Sequence, residues 1–504
     1  MRIPWVAHDN RAPGATRAAR FGSIAALLLC PTLVLAQTRA SQSFAPAGWD
    51  AEVKLPALED TNDDPRIVEL QLTARLATVE IARGTRVQAW TYDGGLPGPL
   101  IKGRVGDRLI VHFKNELPEP TTVHWHGVRV PIEMDGVPGI SQPDVAPGGS
   151  FTYDFVLRDT GLFWYHPHVM SAAQVGFGLY GALLVEDPDD RVGIADELTI
   201  VLSDIGFDRH GVLEPADSGG PAGMVFGREG ASLLVNGKSH PTLRARAGAP
   251  QRWRIVNTAK SRFFFLDLDG QTFTTIGTDG GLMERPTTSD VLLVTPGERV
   301  DVIVTPTGKP DSSLVLRALL YNRGYGSVEY RSVEELMTIA FTGERPIAKA
   351  IVPSVARALT PPPAEAATPV DIVLSLPPAG PDGKSEFLVN GVPFWKAKPY
   401  LARLGETQLW TIKNESKWDH PFHLHGFFFM PVDEKGAPVR PLRWKDTLNI
   451  PMESTARFLV AFDERPGDWM FHCHILDHAD GGLMGTIRVG DPPTAPHVHP
   501  KAPQ

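Results

Sequence analysis

Short segments with alternating apolar and polar residues recur along the chain, and three of them share one design. Each runs from a glycine to an asparagine over the same distance: GDRLIVHFKN at 106–115, GAPQRWRIVN at 248–257 and GETQLWTIKN at 405–414. A period of two is typical of a β-strand with one buried face. The pattern therefore predicts the same strand once in each third of the chain.

Related segments follow each of these strands at comparable distances. HWHG begins at His124, LDLDG at Leu266 and HLHG at His423. A later strand recurs after a proline turn as PGGSFTYDF, PGERVDVIV and PMESTARFLV. Repeated units built from short strands and turns predict three β-sandwiches in tandem, an all-β chain.

The repeats and the proline content between them suggest domain limits. The segment ALTPPPAEAATP is Pro/Ala-rich and has little reason to pack in a core, and DPPTAPHVHPKAPQ at the end of the chain reads as disordered. We expect the first domain at 37–190, the second at 191–345, a linker at 346–369, the third domain at 370–492 and a disordered tail at 493–504.

Composition limits the possible functions. The chain has 504 residues, a formal net charge of −9 and a high content of glycine (48) and proline (46), which fits many short strands and turns. Nucleic-acid binding would need a basic face, and this charge balance gives no support for one.

The N-terminus resembles a secretory signal peptide. Basic residues precede an apolar run from Phe21 to Ala36, and the run ends in small residues suited to cleavage. We expect residues 1–36 to be a signal peptide, with a periplasmic or secreted protein that has no membrane span after cleavage. Pro31 and the short apolar run disfavour a spanning helix, while lipid attachment at Cys30 is a weaker alternative.

Signal removal would leave Cys473 as the remaining cysteine of the two in the chain. A single thiol in an exported protein has no internal partner for a disulfide. Such a thiol has to be protected or occupied, and binding to a metal would do both. In the segment FHCH, a strand would direct His472 and His474 to one face and Cys473 to the other.

The chain has 16 histidines, and ten of them fall in four short motifs. Paired histidines at a strand end direct both imidazoles to one point, and neutral imidazole suits copper, zinc, nickel and iron. The thiol narrows the choice, because nitrogen with soft sulfur is typical of copper electron-transfer sites. The four motifs are HWH at 124–126, HPH at 166–168, HPFHLH at 420–425 and HCHILDH at 472–478.

With these motifs in this order, the chain resembles a three-domain multicopper oxidase of the laccase type, a family of tandem cupredoxin-like Greek-key β-sandwiches. The resemblance implies four copper ions per chain. It implies a type 1 copper on His420, Cys473 and His478, a type 2 copper on His124 and His423, and a type 3 pair on His126, His166, His168, His425, His472 and His474.

The repeat limits where copper fits. The second domain has Leu266 and Leu268 where its neighbours have histidine, so we expect it to be a copper-free spacer. The first domain has Pro167 in place of the cysteine and Thr121 in place of the first type 1 histidine. A second type 1 site is therefore not expected.

Two features near the cysteine depart from many bacterial relatives. The axial position of the type 1 copper falls on Leu483, a non-ligand, although a loop shift by one residue would admit Met484. Ala479 and then Asp480 follow the last type 1 histidine, where relatives carry glutamate, which puts a second proton route in doubt.

Two carboxylates deserve a functional hypothesis. Asp135, in MDGVPG, matches an acidic residue that relatives place near the type 2 copper, so we assign it as a proton relay; capping of a turn before Gly136 is the alternative. Asp446, in RWKDT, is expected either near the type 1 site or simply as a surface carboxylate.

The resemblance implies an oxidase in which Cys473, His472 and His474 carry electrons from the type 1 copper to the cluster, where dioxygen is reduced to water. We expect phenols or aromatic amines as substrates. Oxidation of Cu(I) in copper tolerance is the alternative, although the ten methionines form no cluster in the sequence. A non-catalytic copper-binding envelope scaffold is the alternative of another class.

Overall fold

The structure is a computed structural model, and it describes residues 42–188, 190, 192–324, 332–347, 357–378 and 386–491. The predicted signal peptide at 1–36, with Cys30, and the predicted tail at 493–504 lie outside these residues, as does part of the predicted linker. None of the described helices is long and apolar enough to cross a membrane.

The first described strands are β1 (Ile67–Ala82), β2 (Thr85–Tyr92), β3 (Gly98–Arg104), β4 (Arg108–Asn115), β5 (His124–His126), β6 (Ser150–Val156), β7 (Gly161–His166) and β8 (Gly181–Glu186). They form two four-stranded sheets with the orders β2-β1-β4-β6 and β3-β8-β7-β5. We call this pair of sheets the first sandwich.

The second sandwich follows in the chain and has two sheets, of six and five strands. Its strands are β9 (Glu197–Ile205), β10 (Ser232–Val235), β11 (Thr242–Ala245), β12 (Gln251–Asn257), β13 (Phe264–Leu268), β14 (Phe273–Thr278), β15 (Gly281–Ser289), β16 (Val291–Val294), β17 (Arg299–Val304), β18 (Ser313–Leu319) and β19 (Glu334–Phe341). They form the sheets β10-β9-β12-β17-β14-β15 and β11-β19-β18-β13-β16.

The third sandwich contains the cysteine. Its strands are β20 (Thr368–Ser375), β21 (Leu388–Val389), β22 (Tyr400–Ala402), β23 (Thr407–Asn414), β24 (His420–Leu424), β25 (Phe429–Val432), β26 (Thr447–Ile450), β27 (Thr455–Ala461), β28 (Gly467–Cys473) and β29 (Met484–Val489). They form the sheets β21-β20-β23-β27-β25 and β22-β29-β28-β24-β26.

Helices are short and few among the described residues. They are α1 (Ser171–Gly176), α2 (Gly220–Phe226) and α3 (Leu476–Asp480), with single 3₁₀ turns at Ile132–Met134 and Phe394–Lys396. The prediction of an all-β chain built from three sandwiches is confirmed.

The strand predicted three times is present in every sandwich as β4, β12 and β23. Each copy pairs in parallel with the first long strand of its sandwich and antiparallel with the strand after the proline turn. In β4 and β23 the buried positions alternate, as the sequence pattern predicts. Each strand ends at its buried asparagine, Asn115, Asn257 or Asn414.

The segment before β1 does not pack where the predicted domain limits place it. Val53 is buried in the core of the second sandwich, and its carbonyl accepts a hydrogen bond from the Asn236 side chain. Ser43 hydrogen-bonds Asp196 at the same sandwich. The predicted range 37–190 thus includes a segment that packs on the second sandwich, because its apolar residues match that core.

The third sandwich begins slightly earlier than expected. Strand β20 starts at Thr368, inside the predicted linker 346–369, and pairs in parallel with β23 from its first residue. The other domain limits stay predictions.

Candidate metal centre

Four strand ends bring the histidine motifs together. In the first sandwich β5 pairs with β7, so that His124 lies opposite His166. In the third sandwich β24 pairs with β28, so that His423 lies opposite His472. The same hairpin-like pairing of two histidine-bearing strands is therefore used twice.

Alternation along β28 separates the cysteine from its neighbours, as the sequence predicts. Cys473 is buried in the apolar core of the third sandwich, among residues that include Phe422, Ile475 and Leu483. His472 and His474 point the other way, toward the histidines of the first sandwich. One strand end therefore lines two separate groups of metal-binding side chains.

The first group contains three converging atoms. Cys473 Sγ lies 3.4 Å from His420 Nδ1 and 3.6 Å from His478 Nδ1, and the two nitrogens are 3.2 Å apart. All three side chains are buried. We call this group the thiol site.

Hydrogen bonds on the far side of the rings fix the orientation of both imidazoles. His420 Nε2 donates to Ser416 Oγ at 2.7 Å, and His478 Nε2 donates to the Val225 carbonyl at 3.0 Å. The backbone N–H of Ile475 donates to Cys473 Sγ at 3.4 Å. With the proton on Nε2, each imidazole turns a bare Nδ1 toward the thiol.

The second group, the histidine cluster, is shared by the first and third sandwiches. His425 Nε2 and His472 Nε2 are 3.1 Å apart, His124 stacks on His425 at 3.9 Å between ring centroids, and His126 stacks on His423 at 3.7 Å. Its eight members are His124, His126, His166, His168, His423, His425, His472 and His474.

Backbone carbonyls hold four of these eight rings from outside. Nδ1 of His124 donates to the Asp135 carbonyl at 2.6 Å, and Nδ1 of His423 donates to the Asp446 carbonyl at 2.9 Å. His166 donates to the carbonyl of Pro167. Carbonyls fix the tautomer because they accept only, which leaves Nε2 of these rings bare.

Bare nitrogens that face each other show that a cation fits both sites. Two ring nitrogens without hydrogen, as in His425 with His472 and in His420 with His478, repel each other at hydrogen-bond distance unless a cation lies between them. Further ring nitrogens of the cluster are buried without a hydrogen-bond partner: His124 Nε2, His126 Nδ1, His166 Nε2, His168 Nε2, His423 Nε2 and both nitrogens of His474.

Burial also affects the protonation of the metal-binding groups. It keeps the imidazoles neutral, the form that binds metal, and it keeps the thiol protonated until a metal displaces the proton. Burial lowers the pKa of His168 to about 3, with a further contribution from His124, and lowers the pKa of His420 to about 3. Burial raises the pKa of the Cys473 thiol above its ordinary value. The imidazoles are therefore neutral at pH 7, and a soft metal cation would displace the thiol proton.

Asp135 lies at the cluster, as predicted. Its carboxylate accepts a hydrogen bond from His425 Nδ1 at 2.8 Å, and its side chain is buried. Burial alone would raise its pKa, but His425 and His124 outweigh that effect and hold the pKa below its ordinary value. Asp135 also ends the 3₁₀ turn Ile132–Met134. Its position is therefore compatible with a proton relay and with a turn cap.

The expectation for Asp446 is wrong, because this carboxylate is neither at the surface nor at the thiol site. It is buried at the histidine cluster, where His126 Nε2 donates to it at 3.2 Å. The Arg299 guanidinium makes two hydrogen bonds to it and holds its pKa well below the ordinary value against the effect of burial. Lys445 and Asp279 extend this buried network of charges.

The second sandwich holds no member of the metal-binding groups found among the described residues, but it is more than a spacer. It supplies Arg299 beside the cluster and the Val225 carbonyl beside the thiol site. Arg228 binds Asp477, the residue before His478, through its guanidinium and its backbone N–H. Both sites are thus supported from outside by the sandwich that lacks the ligands.

The two candidates for the axial position lie on different faces of β29 and the turn before it. Leu483 is buried in the same apolar cluster as Cys473, whereas Met484 packs with Val137, Phe394 and Met470. The geometry thus favours the prediction that Leu483 is the axial neighbour.

Ala479 and Asp480 lie in α3, directly after His478. Asp480 accepts a hydrogen bond from the backbone N–H of Ala172 at 2.9 Å, which joins α3 to α1 of the first sandwich. Burial raises its pKa to about 7.

Comparisons with known proteins agree with this geometry. Three family models described as multicopper oxidase match residues 73–190, 196–341 and 368–493. The multicopper oxidase MmcO of Mycobacterium tuberculosis is 32% identical over 83% of this chain and 86% of its own length. A laccase of Bacillus subtilis is 26% identical over 80% of this chain and 90% of its own length.

Solved structures show the same relationship. A multicopper oxidase of Campylobacter jejuni, described as a metallo-oxidase, matches with a TM-score of 0.77 and 29% identity over 87% of this chain and 94% of that one. The chain therefore belongs to the multicopper oxidase family. It is a copper-dependent oxidase with dioxygen as the electron acceptor, and its sandwiches are cupredoxin-like, as the resemblance implied.

Proposed function

We propose that the chain binds four copper ions with the ligands that the sequence predicts. The converging nitrogens and sulfur of the thiol site and the unpartnered nitrogens of the cluster support this proposal. The type 1 ion would be held by His420, Cys473 and His478, whose ligand atoms converge in the structure. As the resemblance implies, the type 2 ion would be held by His124 and His423, and the type 3 pair by His126, His166, His168, His425, His472 and His474.

When bound, copper supplies one-electron redox chemistry at the thiol site and dioxygen reduction at the cluster. The protein residues hold the rings in the binding tautomer and exclude water from both sites. Cys473 and its two histidine neighbours give the shortest covalent connection between the sites, since they are adjacent in the chain. Asp135 is placed to hold or pass a proton beside His425.

Phenols or aromatic amines are the proposed electron donors, and one observation supports them. Helix α2, whose Val225 carbonyl binds His478, carries Phe226 with 42% of its surface exposed, and this ring lies 6.0 Å from Trp418. Phe387 covers His478 itself at 4.5 Å between ring centroids. Phe387 is itself fully buried, so Phe226 is the ring that a donor can reach, and an exposed aromatic ring suits a flat aromatic donor that gives up one electron without entering a deep pocket.

Side-by-side oxygen uptake tests the substrate. The copper-loaded protein is supplied with a phenol, an aromatic diamine or Cu(I), each at matched concentration and corrected for uncatalysed oxidation. We expect faster uptake with the organic donors, and Phe226→Ala should raise the KM for the phenol more than the KM for Cu(I). A rate with Cu(I) far above both organic donors would contradict the proposal.

Oxidation of Cu(I) is the second candidate, favoured by what the relatives are called. One solved structure is titled a metallo-oxidase, and a Pseudomonas syringae relative at 25% identity is named a copper resistance protein A homolog. Export to the periplasm or outside the cell fits either substrate and is part of the proposal. A non-catalytic scaffold would need a copper-loaded protein that consumes no oxygen with any of the three donors.

A further inference from the structure

The first type 1 histidine has a side-chain partner that the family motifs do not include. Ser416 Oγ lies 2.7 Å from His420 Nε2, and both residues are buried. The other ring nitrogen of His420 faces Cys473 Sγ and His478 Nδ1. Ser416 thus contacts the ring nitrogen of His420 that faces away from the thiol.

Hydrogen counting fixes what the hydroxyl does. A neutral imidazole has one N–H, and the nitrogen that faces the thiol has to be bare to bind a metal. The N–H is therefore on Nε2, and Ser416 Oγ accepts it. The hydroxyl hydrogen is directed to Asn414 Oδ1, 2.8 Å away, or to the Trp418 carbonyl, 3.1 Å away.

The internal repeat shows that the turn itself does not require a hydroxyl. In all three sandwiches the asparagine that ends the repeated strand accepts, on its side-chain oxygen, the backbone N–H two residues later. The three pairs are Asn115 with Leu117, Asn257 with Ala259 and Asn414 with Ser416. Leucine and alanine make the same turn, and serine occurs in the sandwich that has the thiol.

The chemistry of the acceptor matters as much as its position. An acceptor on the far nitrogen raises the basicity of a ligating imidazole, and a carboxylate does so more than a neutral oxygen. His478 also donates to a neutral oxygen, the Val225 carbonyl. Among the described residues, both imidazoles of the thiol site therefore have a neutral and not an anionic partner on the far nitrogen.

We propose that Ser416 is a positioning residue of the thiol site, which holds the tautomer and ring angle of His420 and, as a neutral acceptor, keeps the reduction potential above the value that a carboxylate would give. The inference rests on the proposed type 1 ligand set. It concerns the potential and geometry of that site, not the identity of the donor.

Three variants separate charge, hydrogen bonding and packing. Ser416→Asp makes the acceptor anionic, Ser416→Ala removes it, and Ser416→Thr keeps the hydroxyl. Ser203→Ala is the matched control, because Ser203 is a buried serine of the second sandwich that accepts a hydrogen bond from Tyr180. The measurements are the reduction potential against a one-electron mediator and the electron paramagnetic resonance spectrum of the blue site.

We expect Ser416→Asp to shift the equilibrium with the mediator at least tenfold toward the oxidised site, about 59 mV for one electron. Ser416→Ala should raise the potential by a smaller amount and change the copper hyperfine splitting, while Ser416→Thr and Ser203→Ala should match the unmodified protein. A potential that is unchanged or raised in Ser416→Asp would overturn the inference.

A measurement on the metal-free protein tests the inference even if Ser416→Asp does not fold. Nitrogen-15 NMR of the imidazoles should show His420 as the pure Nε2–H tautomer, and Ser416→Ala should show a mixture of tautomers. A single unchanged tautomer in Ser416→Ala would overturn the inference. Absence of a blue site in the unmodified copper-loaded protein would instead refute the proposed function.

Discussion

The thiol site and the histidine cluster are built in opposite ways from the same strand. All three members of the thiol site come from the third sandwich, and they are enclosed by its apolar core. The cluster takes four histidines from each of two sandwiches, and its rings face each other across their boundary. His472 and Cys473 are adjacent in sequence but belong to different sites.

The two sites therefore depend on different parts of the structure. The thiol site depends on packing within the third sandwich and on two hydrogen-bond acceptors behind its imidazoles, one of which, the Val225 carbonyl, comes from the second sandwich. The cluster depends on how two sandwiches are held together, and the second sandwich contributes to that through its buried ion pairs. Removing a residue of one site should therefore leave the other recognisable, and the following experiments test that separation.

Cys473→Ser should have the largest effect on activity. The hydroxyl is a poor copper ligand compared with a thiolate, so the blue absorption and donor oxidation should be lost. The near-equal size of the side chains should keep the fold, with a loss of stability of about 1 kcal/mol. Absorption and oxygen uptake are measured together with copper content, and retained oxidase activity would contradict the role of the thiol.

His166→Ala addresses the other site. His166 contributes a nitrogen without a hydrogen-bond partner to the cluster and makes no contact with Cys473 that the structure records. We expect loss of oxygen uptake and a lower copper content, while the blue absorption persists and can still be bleached by a donor. Equal loss of the blue absorption would show that the two sites are not separable.

Arg299→Met tests the support from the second sandwich. The substitution leaves the buried Asp446 without its main positive partner, which should reduce the free energy of unfolding by about 3–5 kcal/mol. Urea unfolding of the metal-free protein measures this. Arg317→Met is the control, since its ion pair with Asp269 is partly exposed and should contribute about 0–1 kcal/mol.

The last test concerns the pH dependence of stability in the metal-free protein, and it is shared by both sites. Burial holds the pKa values of His420 and His168 at about 3, whereas the unfolded chain has ordinary histidines near 6.5. Below pH 6.5 the unfolded state therefore binds more protons, so stability should fall as the pH falls from about 6.5 toward 3.

Single substitutions measure how much each histidine contributes to the pH dependence of the free energy of unfolding. Between pH 6 and pH 4 each buried histidine should contribute up to about 1.4 kcal/mol per pH unit. His420→Asn and His168→Asn should each make the dependence less steep by a similar amount. His240→Asn, at an exposed histidine of the second sandwich, is the control and should leave the slope unchanged. A slope that no cluster or thiol-site variant alters would contradict the effect of burial.

Much of the fold and of the site is predictable because the decisive patterns are short. Alternation of apolar and polar residues marks β4, β12 and β23. Two histidines separated by one residue at a strand end point to the same face of the sheet. The same alternation correctly separates Cys473 from His472. That the cluster is shared between the first and third sandwiches is also predictable, because the internal repeat places their paired histidines at equivalent positions.

Other parts depend on contacts that no local pattern records. Asp446 and Arg299 are far apart in the sequence, and neither has a neighbour pattern that marks a buried ion pair. The Val225 carbonyl acts through its backbone, which every residue has. Ser416 could have been found by aligning the three repeats beyond their asparagine, since its hydroxyl is the difference there.

The placement of Val53 has a consequence for synthesis. Val53 emerges from the ribosome before β1, but its partners on the second sandwich, among them Asn236, are made much later. Domains generally fold in order from the N-terminus during synthesis. The first sandwich can therefore assemble before this leading segment reaches its final position, because the segment needs the second sandwich as its partner.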